Sequence, residues 1–302
     1  MQKVGSVTET ADSNGEFTNG NVAQGVPPTI LLAEIFNTWQ RELVNIVEGS
    51  GMELDPNDFG QLLKAINKSV GGGRLLRTSI YTKSLGVQYV SVDGSVATQN
   101  KATQFTALSG TAFVEIECQG GGAGGGGVSA DGVNPAVGGG GGGGAYGLGR
   151  YSTGFSSLII TVGDGGAGGA VGNNYGQVGG TSSAGMLISS PGGYTGAGGS
   201  PLVPPFINGG SQVSDDAVGA NLLKINGGNG NYGIAIGGQN AAGGNGGASK
   251  FGAGAPSTSN RPGYAAKNHG AGGAGAGAYS TSKTGFAGGD GAAGIVIIRE
   301  FS

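Results

Sequence analysis

The first 70 residues contain two runs in which apolar residues recur at spacings of three and four, the pattern of an amphipathic helix. The first run follows Pro27-Pro28-Thr29 and is stopped by Gly49 and Gly51. Its apolar positions are Leu32, Ile35, Phe36, Trp39, Leu43, Ile46 and Val47. This pattern predicts one helix, with Trp39 as a core residue.

The second run predicts a helix that begins at Asp55-Pro56-Asn57-Asp58. Asp55 suits the N-cap, and Pro56 suits the first helical position. The negative charge of Asp58 would be stabilised by the positive N-terminal end of the helix dipole. The apolar positions are Phe59, Leu62, Leu63, Ile66 and Val70. Two helices of this length bury little apolar surface by themselves. Their apolar stripes should therefore pack against each other or against copies from other chains.

Period-two alternation replaces the helical pattern after a hinge expected at Gly71-Gly72-Gly73. Apolar and polar residues alternate through residues 74–118, with a turn expected at Asp93-Gly94. We therefore divide the chain into a helical N-terminal module at 1–73, a short β linker or shaft at 74–111, and a glycine-rich domain at 112–302.

Glycine dominates the rest of the chain: residues 119–294 hold 59 of the 72 glycines. A flexible linker is the competing interpretation. Five apolar runs argue against a linker, because a linker does not need them. They are Leu158–Val162, Gly185–Ile188, Leu222–Ile225, Ile234–Ile236 and Ile295–Ile298.

Polyglycine II helices accommodate this much glycine. They have three residues per turn, and without side chains neighbouring helices can approach until their backbone groups pair. The runs 120–127 and 138–144 are long enough for such helices. The predicted fold is therefore mainly β and irregular: a short helical N-terminal module, a small β region, and a sandwich of polyglycine II helices with β-strands.

The candidate chemistry is sparse. Gly163–Gly168 matches the G-x-G-x-x-G pattern of dinucleotide-binding turns, but no helix-forming segment follows it. Cys118 is expected to be buried and inert, His269 to be an exposed loop residue, and Asp215 and Asp216 to lie in a solvated loop. These residues predict no enzyme activity, no catalytic residues, no cofactor and no metal site.

The global properties also exclude several classes of protein. The net charge of −3 does not suggest nucleic-acid binding. The chain contains no run of 18 apolar residues that could span a membrane, and the first residues lack the apolar core of a secretory signal. Synthesis in a cytoplasm is the expectation.

Two stretches resemble a known family. The first, VTETADSNGEFTNGNVAQGVPPTILLAEIFNTWQRELVNIVEG with LDPNDFGQLLKAI, resembles the N-terminal module of tail fibre proteins of tailed bacteriophages and prophages, including Mu-like ones. The second, with AFVEIECQGGGAGGGG, SLIITVGDGGAGG and GGDGAAGIVIIRE, is similar to the glycine-rich receptor-binding domains of such fibres and to polyglycine II adhesins of T-even-like phages.

The resemblance implies a homotrimeric tail fibre in the virion tail. The N-terminal module would attach to baseplate or tail proteins, and the tip would bind a polysaccharide or an outer-membrane protein of a Gram-negative cell. An assembly chaperone is a further candidate partner. The alternatives are a structural tail or baseplate component with a non-binding glycine-rich cap, and an enzyme that degrades surface sugars. The scattered Asp residues do not suggest the paired carboxylates that such an enzyme needs.

The path of the chain suggests where a receptor would bind. If 120–127 runs outward and 138–144 returns, loops 128–137 and 170–178 are distal and 145–157 lies near the base; 200–208 and 249–268 also have the composition of displayed loops. The predicted receptor contacts are Tyr175, Phe206, Tyr264, Asn134 and Tyr232, since aromatic residues give large contact areas at low entropy cost. The competing interpretation is that each aromatic side chain only covers the glycine core.

Overall fold

The computed structural model describes residues 2–71 and 73–302, apart from the side chains at positions 70 and 71. Two compact units meet between Arg74 and Leu75, one residue beyond the boundary expected from the sequence. The predicted hinge at 71–73 contains Gly72 and therefore lies partly outside the described residues. Each unit is described by itself below.

The first unit has a small core. Helices α1 (Ala33–Gly49) and α2 (Gln61–Gly71) pack together, and short 3-10 turns precede them at Val4–Ser6 and Val22–Gln24. Among the described side chains of this unit, the buried apolar ones are Val4, Ile35, Val47 and Ala65. The helix predicted after Pro28 is confirmed.

Trp39 is not the core residue that the periodicity predicted. It is partly exposed and makes edge-to-face contacts with Phe17, at 5.9 Å between ring centroids, and with Phe36, at 5.7 Å. Most of the apolar stripe of α1 thus remains uncovered within one chain, because α2 is too short to cover it.

The predicted start of α2 is wrong by about one turn and a half. Residues 56–60 form turns instead: the Asp55 carboxylate accepts from the Asn57 N–H at 2.9 Å, and the Asp58 carboxylate accepts from the Gly60 N–H at 3.0 Å. Such local bonds compete with helix formation. Phe59 consequently precedes the helix and is fully exposed.

The second unit contains fifteen described strands, most of them short. They are β1 (Leu75–Ser84), β2 (Val87–Val92), β3 (Gln104–Thr106), β4 (Phe113–Gln119), β5 (Ala136–Val137), β6 (Tyr146–Tyr151), β7 (Ser157–Thr161), β8 (Ser182–Ala184), β9 (Ile188–Ser190), β10 (Phe206–Asn208), β11 (Leu223–Ile225), β12 (Gly233–Gly237), β13 (Asn240–Ala242), β14 (Gly277–Ala278) and β15 (Ile295–Phe301).

Two sheets form a sandwich. One has the order β11-β6-β4-β15-β1-β2 and the other β3-β7-β8-β9. Their facing side chains make the largest buried apolar cluster, which includes Phe105, Ile116, Ile160, Ile188 and Ile298. The carboxylate of Glu300 is also buried beneath the sheet, where it pairs with Arg77 and accepts from the Leu108 N–H at 2.7 Å.

Residues 74–111 are not a separate linker or shaft. Strand β1 pairs antiparallel with both β2 and β15, and the whole of Leu75–Ser302 is one compact unit. The sequence could not show this pairing because β15 lies some 200 residues further along the chain. The apolar run at Gly185–Ile188 is mostly a turn, and β9 starts at Ile188.

Glycine-rich segments extend from this sandwich and bond to one another through their backbones. The N–H groups of 120–128 donate in rotation to 139–145, 174–180 and 286–292. Along one neighbour, the Gly121, Gly124 and Gly127 N–H groups donate to the carbonyls of Gly180, Gln177 and Asn174, each at 2.9 Å. A three-residue repeat in which each residue bonds to a different neighbour is the polyglycine II arrangement, as predicted.

The segments of this glycine lattice run alternately away from the sandwich and back. They are 120–128, 138–145, 163–170, 174–180, 192–199, 209–214, 227–231, 243–247, 254–258, 262–266, 270–276 and 286–294. We call the end next to the two sheets the near end and the other the far end. Leu75 pairs with Phe301 at the strand ends remote from the lattice, so the chain enters this unit on the side opposite to the far end.

Candidate functional site

The far end of the lattice is closed by the loops 129–137, 171–173, 200–208, 232–242, 259–261 and 277–285. Two small sheets hold them together, β10-β12-β13 and β14-β5. The Asn208 side-chain amide donates to the carbonyls of Val137 and Gly198, both at 2.7 Å, and Leu202 N–H donates to Pro135 O at 3.1 Å. The loops thus form one continuous cap.

Large apolar side chains on this cap point into solvent. In β12, Gly233 and Ala235 are buried whereas Ile234 and Ile236 are exposed. The usual alternation is inverted, because only Gly and Ala fit against the close-packed core beneath. The exposed apolar residues of the far end are Val133, Val171, Tyr175, Leu202, Val203, Ile207, Tyr232, Ile234 and Ile236.

The cap also carries little charge. Asp131, Arg261 and Lys283 are the charged residues of its loops. Hydrogen bonds from the N–H groups of Asn134 and Val133, each at 2.7 Å, lower the pKa of the Asp131 carboxyl, which therefore stays ionised near neutral pH while organising its own loop. Many exposed apolar side chains with so few charges at one end of a molecule are typical of an interaction site.

Four of the five residues chosen from the sequence lie at this end. Tyr175 and Tyr232 are 62% and 61% exposed. Tyr232 lines a groove of about 320 Å³ together with Asn231, Ile234 and Asn245. Asn134 is half-buried, and its side-chain amide donates to the Asp131 carboxylate at 3.2 Å. Its role as a receptor contact stays a prediction.

The fourth of these residues, Phe206, is in the cap strand β10, and the fifth predicted residue, Tyr264, lies outside the cap. Phe206 is half-buried against Val137, Ala235 and Ala241, so it supports the cap rather than projecting from it. Tyr264 is not in a displayed loop: it lies within lattice segment 262–266, where its carbonyl accepts from the Ala274 N–H at 3.0 Å. The structure therefore does not bring Tyr264 together with the other four residues.

Several exposed cap residues escaped the sequence analysis, above all Val203, Ile207, Ile234 and Ile236. Apolar runs such as GIAIG were interpreted only as evidence for a folded core. The available signal was the alternation itself: where Gly and Ala occupy every second position of a strand on a glycine lattice, the intervening large residues face outward.

The remaining candidate chemistry is dispersed. Cys118 is buried, as predicted, and burial raises the pKa of its thiol to about 12. His269 is half-buried beside Phe251 rather than fully exposed. Asp215 is in an exposed near-end loop, where it accepts from the Tyr194 hydroxyl at 2.9 Å. Among the described residues, no group of three or more His, Cys, Asp or Glu side chains could hold a metal ion.

The G-x-G-x-x-G match at Gly163–Gly168 is part of the lattice. Strand β7 leads directly into segment 163–170, and 171–173 then turns into the antiparallel segment 174–180. No α-helix follows that could direct its N-terminus at a phosphate. Neither helix in the described part of the chain has the length and apolar character needed to cross a bilayer.

A family model for the glycine-rich domain matches residues 97–300, about two thirds of the chain. The match starts after β2, so it spans the lattice, the cap and most of the sandwich. No curated protein matches the sequence.

Proposed function

Because the chain belongs to the glycine-rich domain family, we propose that its lattice is the scaffold of a receptor-binding tip on a tail fibre of a phage or a phage-tail-like particle. The observation that carries this proposal is the cap: loops rich in exposed apolar residues close one end of a hydrogen-bonded lattice. A rigid scaffold that presents variable loops is suited to recognition, because little order is lost on binding.

The direction of the chain supports the same proposal. Leu75 and Phe301 pair at the strand ends remote from the cap, so a partner bound at the cap would not meet the point where the chain enters this unit. The first unit would then connect the tip to baseplate or tail proteins, and the exposed stripe of α1 would mediate the formation of homotrimers.

A cap that only terminates the lattice is the alternative. Termination requires turns and satisfied backbone groups, and it gives no reason for exposed Val203, Ile207 and Ile236. Exposed apolar clusters lower solubility, so their presence favours a binding function.

Adhesion to bacteria tests the proposal. Fluorescently labelled full-length protein is incubated with a panel of Gram-negative strains, and bound fluorescence is measured against protein concentration. We expect saturable binding to a subset of strains and none to the rest. Absence of saturable binding to any strain would favour the structural cap.

A further inference from the structure

Two open grooves on the flank of the glycine lattice adjoin each other at Lys267. The first, of about 550 Å³, lies between segments 254–258 and 262–266. The second, of about 490 Å³, lies where the β1–β2 hairpin approaches the near end of the lattice. Lys267 lines both. Both volumes are within the range of small-molecule sites in proteins.

The first groove is lined mostly by small apolar residues and carries one aromatic ring. Ala253, Ala255 and Pro256 line it together with Tyr264 and Asn268. The Tyr264 hydroxyl accepts from Arg261 Nη1 at 2.8 Å, and the Asn268 amide donates to the Ala253 carbonyl at 2.8 Å. Both side chains are therefore held in place before any ligand arrives. The Tyr264 side chain remains 44% exposed.

The second groove is lined by polar groups of both signs. Lys83 pairs with Asp164 at 2.6 Å, and Asp290 accepts from the Gly168 N–H at 2.7 Å. His269 and Lys267 complete this lining. The positive charges of the two lysines balance the negative charges of the two aspartates. The groove therefore offers hydrogen-bond donors and acceptors with little net charge.

From this arrangement we propose that the two grooves form a binding site for a neutral oligosaccharide, one segment of a bacterial surface polysaccharide. A sugar ring has an apolar face, which would stack on Tyr264 beside the alanine residues of the first groove. Its hydroxyl groups need both hydrogen-bond donors and acceptors, which the second groove supplies. Two adjoining grooves suit successive sugars of a linear chain. The balanced charge favours a neutral glycan over an acidic one.

This inference rests on the proposed function and adds a ligand class and a location distinct from the cap. Binding on the flank would hold the fibre along surface polysaccharide, while the cap would remain free for a second contact. The two sites use different residues, so they can be tested separately.

The experiment measures binding of the full-length protein to immobilised smooth lipopolysaccharides from the same strain panel, with rough lipopolysaccharides lacking the O-polysaccharide as controls. We expect binding to at least one smooth preparation and a loss of about tenfold or more in affinity for Tyr264→Ala. Lys267→Ala, at an exposed side chain, should weaken binding severalfold. Ile159→Ser, at an exposed position on the sandwich outside both proposed sites, should leave this affinity unchanged.

The outcomes separate the two proposals. Two results would overturn the flank site. One is that the protein binds no smooth preparation, and the other is that Tyr264→Ala and Lys267→Ala bind as tightly as the parent protein. If cells are nevertheless bound and Tyr175→Ala reduces that adhesion, the cap proposal stands alone. Equal binding to smooth and rough preparations also overturns the flank site, because the ligand would then not be the O-polysaccharide.

Discussion

Ile207 and Ile234 are cross-strand partners in the β10–β12 pair, and their side chains are 65% and 49% exposed at the far end of the glycine lattice. Cross-strand neighbours on one face lie close enough to act as a single apolar patch. Because Phe206 and Ala235 occupy the opposite, covered face, this patch is fixed in direction by the small core below it.

Replacing this pair should weaken adhesion to bacteria without affecting folding. Burying one Ile side chain stabilises a complex by about 1.5–3 kcal/mol, so the double variant Ile207→Ser, Ile234→Ser should bind cells at least about tenfold more weakly. Ile159→Ser is the matched control, since Ile159 is 73% exposed but lies on the sandwich. Equal adhesion by the double variant and the control would count against the cap as the binding surface.

Side chains should not be tolerated inside the lattice. A Cβ at Gly124 would lie 2.0 Å from the carbonyl oxygen of Ala167, whereas a Cβ at Gly209 would meet only the Ala197 methyl group, at 3.8 Å. Gly124→Ala should therefore cost several kcal/mol or prevent folding, and Gly209→Ala should change the free energy of unfolding by less than about 1 kcal/mol. Thermal denaturation of both variants is the measurement. Gly141→Val, whose Cβ would lie 2.3 Å from the Ala123 carbonyl oxygen, should behave like Gly124→Ala.

The buried carboxylate of Glu300 should be essential to the sandwich. It pairs with Arg77 and accepts from the Leu108 N–H and from the Thr111 hydroxyl, at 2.7 and 3.0 Å, so it joins β15 to β1 and to the segment before β4. Glu300→Ala leaves the Arg77 charge without its partner and should cost about 3–5 kcal/mol in denaturant unfolding. Glu115→Ala, which breaks the more exposed pair with Arg150, should cost about 1 kcal/mol or less. Similar costs for both would contradict the assigned role of Glu300.

Helix α1 should mediate association between copies of this chain. Its exposed residues Phe36, Trp39, Leu43 and Ile46 follow the three-four spacing of a coiled-coil seam. Light scattering of the full-length protein should give three chains, and Leu43→Asp should dissociate them. Phe59→Asp, at an exposed position before α2, should not. A monomeric parent protein would refute the trimer.

The thiol of Cys118 should be inert in the folded protein. Burial raises its pKa from 9.0 to about 12, so the folded state favours the protonated thiol. The stability associated with this group is then fully present below pH 9 and is lost as the pH rises toward 12. Thiol reagents at pH 8 should modify Cys118 only after denaturation, and rapid modification of the native protein would show that the site opens.

The sequence predicted most of the secondary structure where local signals are strong. Helix α1 was predicted by its own apolar pattern, and β7, β12 and β15 lie on apolar runs that indicated a folded domain. The predicted start of α2 was wrong because Asp55 and Asp58 form turns that periodicity does not register. Of the candidate site, Asn134 and Tyr175 were placed at the far end by tracing the path of the chain. Phe206 lies in the cap, but composition did not show that its ring faces the covered side. Tyr264 was assigned to a displayed loop and instead lies in a lattice segment, because composition does not separate loops from lattice segments.

By itself, the sequence determined that glycine must pair through its backbone, since residues without side chains have no other way to form a core. It therefore determined the polyglycine II segments and the small residues within them. Only the tertiary structure decided which segments are neighbours, that β1 and β2 join β15 in one sheet, and which apolar residues face outward. Those choices depend on contacts between residues far apart in the chain. In a lattice of near-identical glycine runs, no local pattern distinguishes one partner from another.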